Sequence, residues 1–363
     1  MSKGDDKPDL DSLREEIDQL DQKIQGLISE RVAVASDIAK AKVAKGSTVF
    51  YRPEREAQVL RRIRERNEGP LSDQQIVRLM REIMSASLAA EMPLTVAYLG
   101  PEGTYTQAAV LKHFGHAVTA RAVSTIAAVF QSVGRGESHY GVVPVENSSE
   151  GVISSTLDLF LESALSVCGE VQVLIEHQLL SIAAGIGSVK RIYAHPQSFG
   201  QTRIWLANNL PDAELIPVDS NARGAIRAKE DLESACIASE FAASLYELHS
   251  LARNIQDDVS NTTRFLVIGK TAFPSSGEDK TSIVVSTKNE VGALFNLLEP
   301  LARHNVSMSR IESRPSRQGM WEYVFFMDLV GHADDKNVAS VLAELEKKAA
   351  YFKLLGSYPE AVL

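Results

Sequence analysis

From Leu10 the apolar residues of this chain recur every three or four positions, at Leu13, Ile17, Leu20, Ile24 and Leu27. The pattern runs on through Val34 and Ile38, with Gly26 its one weak point and no proline, until Gly46. That spacing places the stripe on one helix face and predicts a single helix of more than about 30 residues, with Asp9 or Asp11 as its cap. A helix so long, with so narrow an apolar seam, needs another helix surface to cover it.

Pro53 opens a second, highly charged helix, EREAQVLRRIRER, expected to end at Gly69-Pro70. Ser72 or Asp73 caps a third, carrying Ile76, Leu79, Met80, Ile83, Met84 and Leu88 before Pro93 stops it. Each has only a modest apolar stripe, which predicts a homodimer of interlocked copies rather than a lone three-helix unit.

Beyond Leu27 the first helix's stripe passes through Arg31 and Lys42, two cations where leucines belong. They lie on one face, about 20° apart and separated by about 16 Å of rise, a gap long side chains narrow around a ligand. Arg14 falls about 100° off that line and reaches such a site more easily from a second copy. The third helix puts Ser87 and Glu91 on its apolar face, and the second adds Arg55 and Glu56 near its start. Charges inside a bundle need partners, so the set reads either as salt bridges around an anion or as a solvated face with snorkelling stems.

At 363 residues the chain is long enough for two or three domains, and its 44% hydrophobic and 23% charged residues are ordinary for a globular protein. A net charge of -9 argues against nucleic-acid binding, though a few focused arginines still hold a small dianion. The start has no signal-peptide core and no stretch has membrane-span length, so a cytoplasmic protein without a membrane partner is expected. Cys168 and Cys236 are far apart and read as buried small hydrophobes rather than a disulfide or zinc site. No metal or cofactor is expected, because P-loop, GxGxxG and HExxH patterns are missing.

After Pro93 the pattern changes to short strands, LTVAYLG, YGVVPVE, RIYAH, LIPVD, SACIAS and RFLVIG, alternating with helices. This α/β region suits two lobes with a cleft where strand ends meet helix starts. Polar clusters stand at those ends: GPEGTYT, VPVENSSEG, AHPQSFGQ, DSNARG and NTTRF. Singly they are ordinary turn and cap chemistry. His195 fits a structural hydrogen bond as well as a base. Thr262, Thr263 and Arg264 pair hydroxyls with a cation. After a linker, FPSSGEDK, the order strand, helix from Val291 to Arg303, strand, strand EYVFFMDL, helix, strand is a ferredoxin-like α+β unit, βαββαβ.

These motifs carry resemblances. LREEI, ISER, AKAK, RPERE and the Ser87-Glu91 pair, over roughly Asp9 to Met92, resemble the all-α chorismate mutase domain at the N-terminus of bifunctional P-proteins. The resemblance implies that an interlocked dimer binds chorismate, with Arg14 of the partner and Arg31 on its carboxylates, Lys42 on the ether oxygen, and Glu56 and Ser87 orienting the ring. Where many relatives carry Gln beside Lys42 this chain has Glu91, and where an Asp can precede Arg55-Glu56 it has Arg52. A carboxylate donates a hydrogen bond only when protonated, so Glu91 is expected to be held neutral by burial.

GPEGTYT, VVPVENSSEG and TTRF, over about Leu94 to Lys270, resemble prephenate dehydratase, a two-lobed α/β domain that turns prephenate into phenylpyruvate. That resemblance puts Thr263 on the leaving hydroxyl and makes Glu146, Asn147, Gln201 and Ser220 orienting residues. Arg264 either binds a substrate carboxylate or braces the cleft. The last 80 or so residues resemble an ACT domain whose GALF (Gly292, Ala293, Leu294, Phe295) and ESRP (Glu312, Ser313, Arg314, Pro315) pieces imply phenylalanine as effector. The expected domains are 1–93, 94–271 and 280–363. A two-lobed solute-binding protein, or an amino-acid sensor without catalysis, is the competing expectation.

Overall fold

The structure, a computed structural model, describes residues 9–46, 49–287, 290–315 and 323–362. The charged opening at residues 1–8 and the first residue of the strand expected at 322 lie outside them. Helix α1 (Leu10–Ala44) is the long helix foreseen, and α2 (Pro53–Glu65) and α3 (Asp73–Glu91) complete the helical unit. Pro53 takes the first helical position of α2, where a missing N–H costs nothing. That helix stops at Glu65, short of Gly69-Pro70. Ser72 and Gln75 cap α3 reciprocally in a capping box.

Only Ala39 of α1 is buried. Its apolar stripe faces solvent, with Leu10, Leu13, Ile17, Leu20, Ile24 and Leu27 each between 39% and 65% exposed. The linker after α1 anchors the helical unit elsewhere. Tyr51 is 3% exposed and packs its ring 5.0 Å from Tyr140 and 5.2 Å from Phe114 of the central region.

The central region forms two lobes. Strands β1 (Thr95–Leu99), β2 (Thr119–Val123), β3 (Tyr140–Asn147), β4 (Gly151–Val152) and β5 (Ser166–Leu174) alternate with α4 (Tyr105–Phe114), α5 (Ile126–Gly134) and α6 (Ser154–Glu162). The chain crosses through Ile175–His177 into a second lobe of β6 (Gln178–Ser181), β7 (Arg191–Ala194), β8 (Glu214–Pro217), β9 (Ser234–Ala238) and β10 (His249–Ala252). Its helices are α7 (Pro196–Gln201), α8 (Arg203–Asn209), α9 (Asn221–Ala228) and α10 (Glu240–Tyr246). The chain then returns as β11 (Thr262–Gly269), which inserts antiparallel between β3 and β5. The sheet orders are β2-β1-β3-β11-β5, with β4 on β3, and β10-β6-β9-β7-β8. Both cysteines are buried, Cys168 in the first lobe's core and Cys236 in the second's.

The last unit runs β12 (Asp279–Ser286), α11 (Ala293–Arg303), β13 (Met308–Pro315), β14 (Tyr323–Val330), α12 (Lys336–Lys348) and β15 (Tyr351–Pro359). The βαββαβ order stands, its sheet antiparallel in the order β13-β14-β12-β15. Alternation along β12 explains the apolar run IVV. Ile283 and Val285 face the two helices, whereas Val284 faces Val143, Val167 and Leu266 of the first lobe. Its sheet is therefore buried on both sides.

Candidate functional sites

In the helical unit Arg31 Nη1 donates to Ser87 Oγ at 2.6 Å, and Ser87 in turn donates to the Ile83 carbonyl at 2.7 Å. Lys42 lies against the linker, Nζ at 3.4 Å from the Phe50 carbonyl. Burial raises the Glu91 carboxyl above the usual range, against the pull of Lys42 and Arg31, and Glu91 Oε2 is buried without a hydrogen-bond partner. Burial likewise pushes Glu56 up to about 7, opposed by Arg81 and Arg31 and reinforced by Glu54. Arg31, Lys42, Ser87, Glu91 and Glu56 are thus one electrostatic cluster.

Arg14 is not in it. It pairs with Asp11 at 3.1 Å in solvent, about 26 Å along α1 from Arg31. Arg52 leans on the buried Glu54 and Arg55 is exposed, so neither meets the cluster within one copy. Arg52 is the N-cap residue of α2, and its side chain pairs with Glu54 in that helix's first turn. Glu54, 4% exposed and with Oε2 unpartnered, was missed because its charge suggested solvent.

The second site is a cleft of about 220 Å³ between the lobes, with Thr263 and Asn147 on one wall and His177, Gln201 and Ser220 on the other. Thr263 and Asn147 face each other across β11 and β3. Asn147 Oδ1 accepts from the backbone N–H groups of Ser149 and Glu150, both at 3.0 Å, which fixes the amide's orientation. Its NH₂ therefore donates to Thr263 Oγ and to Asn261 Oδ1, each at 2.8 Å. Thr263 Oγ accepts here, and its own proton remains free to donate into the cleft.

Four helix starts converge on the same space. Thr104, His195, Ser220 and Ser239 line the cleft, and each caps its helix, α4, α7, α9 and α10, by accepting a backbone N–H. No Lys or Arg lines this cleft among the described residues, so the N-termini of these helices are the positive ends that face it. His195 is accordingly a cap, accepting from Gln197 N at 3.3 Å. Gln201 is held through His177 Nε2 at 2.8 Å, and burial keeps His177 neutral by lowering its pKa.

Glu146 requires a correction as a substrate contact, and of the two roles open to Arg264 its partners fit bracing. Successive strand residues point to opposite faces, so where Asn147 and Thr263 face the cleft their neighbours face away. Glu146 accepts from Arg310 Nε at 2.7 Å. Arg264 donates to Glu170 at 2.8 Å, Asp328 at 2.6 Å and Tyr358 OH at 3.0 Å. Both tie β3 and β11 to the C-terminal unit. Burial weighs against the Arg264 charge, but Tyr358, Asp328 and Glu170 together raise its pKa.

Sequence reasoning passed over Asn261, although it opens the NTTRF motif, and His177, which carries no motif at the lobe crossing. In the C-terminal unit Gly292 sits at φ 79°, before α11, in a conformation that glycine adopts without strain. Leu294 and Phe295 are exposed, and Arg314 pairs with Asp158 of α6 at 3.2 Å.

Three family models match: chorismate mutase type II over residues 13–92, prephenate dehydratase over 96–272 and the ACT domain over 281–347. A bifunctional chorismate mutase/prephenate dehydratase of Pseudomonas aeruginosa is 50% identical over 99% of this chain and 100% of its own. One from Neisseria gonorrhoeae is 46% identical over 96% of this chain and 97% of its own. The crystal structure of prephenate dehydratase from Arthrobacter aurescens in complex with L-Phe superposes at a TM-score of 0.69. It is 34% identical, covering 74% of this chain and 90% of that one.

Proposed function

The chain belongs to the bifunctional chorismate mutase/prephenate dehydratase family, and on that premise we propose how its sites divide the work. The helical unit rearranges chorismate to prephenate, and the two-lobed cleft decarboxylates and dehydrates prephenate to phenylpyruvate. We assign these roles to residues 1–93 and 94–271, and regulation to 280–363.

At the mutase site Arg31 holds a substrate carboxylate, while Lys42 and a protonated Glu91 donate to the ether oxygen as its charge grows. The unpartnered Glu91 Oε2 is the atom that would donate. Arg14 of a second copy supplies the remaining cation. The uncovered stripe of α1 supports that pairing, since so long an apolar seam is normally closed by another helix.

The observation that carries the dehydratase reading is Thr263 Oγ in a cleft ringed by helix starts, accepting from Asn147 and, among the described residues, donating to none. Helix dipoles hold the prephenate dianion, and Thr263 donates to the C4 hydroxyl. The carboxylate leaves as carbon dioxide, its electron pair aromatises the ring, and the hydroxyl departs with the Thr263 proton as water, after which solvent reprotonates Thr263. Phenylalanine acts as effector at Gly292–Phe295 and Glu312–Pro315, where the exposed Phe295 and the contact of Arg314 with α6 support a site in touch with the cleft's lobe.

Supplying chorismate alone, then prephenate alone, each with and without phenylalanine, tests the proposal. Phenylpyruvate is expected from both, and phenylalanine is expected to suppress its formation from prephenate. Failure to consume prephenate would refute the dehydratase reading, and binding of phenylalanine without turnover would favour a sensor.

A further inference from the structure

Where the three units meet, behind the helical cluster, lies a cavity of about 340 Å³. Glu56 and Leu60 of α2, Arg81 of α3, Lys112 and His113 of α4, and Val362 beyond β15 all contribute to its wall. Arg31, Lys42, Ser87 and Glu91 do not. Glu56 is common to both places: Arg81 acts on its carboxyl from the cavity and Arg31 from the cluster. Helix geometry accounts for the split. Arg81 precedes Ser87 by six residues, about 120° around α3. With Ser87 turned to α1, Arg81 is turned to the junction.

Arg81 is held there by main chain. Its Nη2 donates to the Val362 carbonyl at 3.0 Å. Val362 itself is 9% exposed and packs with Ala57, Leu60, Val77 and Met84 inside the helical unit. Arg61 strengthens the same seam, donating to the Ser276 carbonyl at 3.3 Å and the Glu278 carbonyl at 2.6 Å. The chain leaving the C-terminal sheet is therefore embedded in the mutase helices at the residue that fixes Arg81.

We infer that Arg81 is a positioning residue for the mutase reaction: pinned by the Val362 carbonyl, it presents its charge to Glu56 across the cavity both residues line, so that the segment after β15 connects the C-terminal unit to the mutase site. The inference rests on the mutase reading of the helical unit. Glu56 is well suited to report it. Burial brings its carboxyl up to about 7, with Arg81 the strongest opposing influence, Arg31 a further one, and Glu54 adding to the rise.

The other titratable groups facing the cavity are Tyr51, Lys112, His113, Glu170 and Glu360. Burial and Arg81 hold His113 down to about 3, so it is neutral. Glu170 is already engaged by Arg264 and Lys280. Arg81 is thus the charge whose loss Glu56 would feel first.

The test is the acid limb of the mutase kcat/KM profile in three variants, with prephenate turnover as the control for folding. Arg81→Met removes a charge that favours ionised Glu56, and should move the limb up by about one pH unit, with about tenfold less activity below it. Arg81→Lys keeps the charge and should keep the limb. A chain ending at Glu360 admits water to the cavity and frees Arg81 toward Glu56, so its limb should move down. Opposite shifts are the signature, because a merely structural seam lowers activity without moving the limb. Should Arg81→Met lose prephenate turnover, the Arg81→Lys and shortened chains decide. Unshifted limbs in Arg81→Met and the shortened chain would overturn the inference, as would an unshifted limb in the shortened chain alone where Arg81→Met does not fold. A wild-type chain that does not consume chorismate would instead refute the mutase reading.

Discussion

Replacing Arg264 with Met separates bracing from substrate binding. The Arg264 side chain is 13% exposed, Glu170 is fully buried and Asp328 is 7% exposed, so the network is dry. Without the guanidinium Glu170 retains Lys280 at 2.7 Å, whereas among the described residues the Asp328 carboxylate retains only Ser282, at 2.5 Å. Removing one partner of such a buried pair leaves an uncompensated carboxylate and costs about 3–5 kcal/mol. At a few degrees per kcal/mol for a domain this size, the thermal midpoint should fall by about 10 °C. Steady-state turnover of prephenate on the folded variant, well below that midpoint, should show KM within about threefold of wild type. A guanidinium on a substrate carboxylate would instead forfeit charge-assisted hydrogen bonds worth about 1.5–3 kcal/mol each, raising KM by about a hundredfold. Asp328→Ala, on β14 and outside the cleft, should reproduce the stability loss with the same near-normal KM. A hundredfold rise in KM for Arg264→Met with an unchanged midpoint would refute the bracing argument.

Thr263→Ala should lower dehydratase kcat about 10²–10³-fold by removing the donor to the leaving hydroxyl, with Thr263→Ser recovering most of it; near-wild-type turnover of the Ala variant in a phenylpyruvate assay would end the assignment. Because burial raises the Glu91 carboxyl, mutase activity should fall as pH rises through its pKa, on the alkaline side of any acid limb set by Glu56, whereas Glu91→Gln donates at every pH and should abolish that alkaline limb. A wild-type profile flat well into alkaline pH would contradict this. Leu20→Lys in the open stripe of α1 should shift sedimentation toward monomer and remove mutase activity at least tenfold while sparing prephenate turnover; an unchanged oligomer with full mutase activity would refute a shared site.

The helical unit was legible because its signals are local. The period of α1, Pro53 at the head of α2 and the Ser72 cap of α3 each lie within a turn or two of the residues they govern. The cluster of Arg31, Lys42, Ser87 and Glu91 followed from charges on an apolar face, and α1 and α3 bring those side chains together. Strands β2, β4, β5, β6 and β10 escaped notice: Thr119–Val123 is largely exposed, Ser166–Leu174 lacks a polar motif at its end, and the other three are two to four residues long. Arg81 and Val362 could not have been paired by pattern. They are 281 residues apart, and a carbonyl acceptor leaves no mark on a sequence.

Glu146-Asn147 and Thr263-Arg264 show why a motif can stand out in a sequence while the roles of its neighbouring residues stay open. The sequence places a hydroxyl beside a cation, but only the antiparallel register of β3 against β11 decides which of them shares the cleft. In that register the two strands carry the cleft's Asn147 and Thr263 on one face and, one residue away, the Glu146–Arg310 and Arg264–Asp328 pairs on the other. A shift of the C-terminal sheet must move the backbone that holds Thr263 or break these pairs. Coupling between sites commonly amounts to about 1–3 kcal/mol, less than the roughly 3–5 kcal/mol needed to break a buried pair. The buried Arg264–Asp328 pair should therefore hold and the backbone should yield, which makes the alternation of two adjacent strands a direct physical connection between the C-terminal unit and the Thr263 hydroxyl.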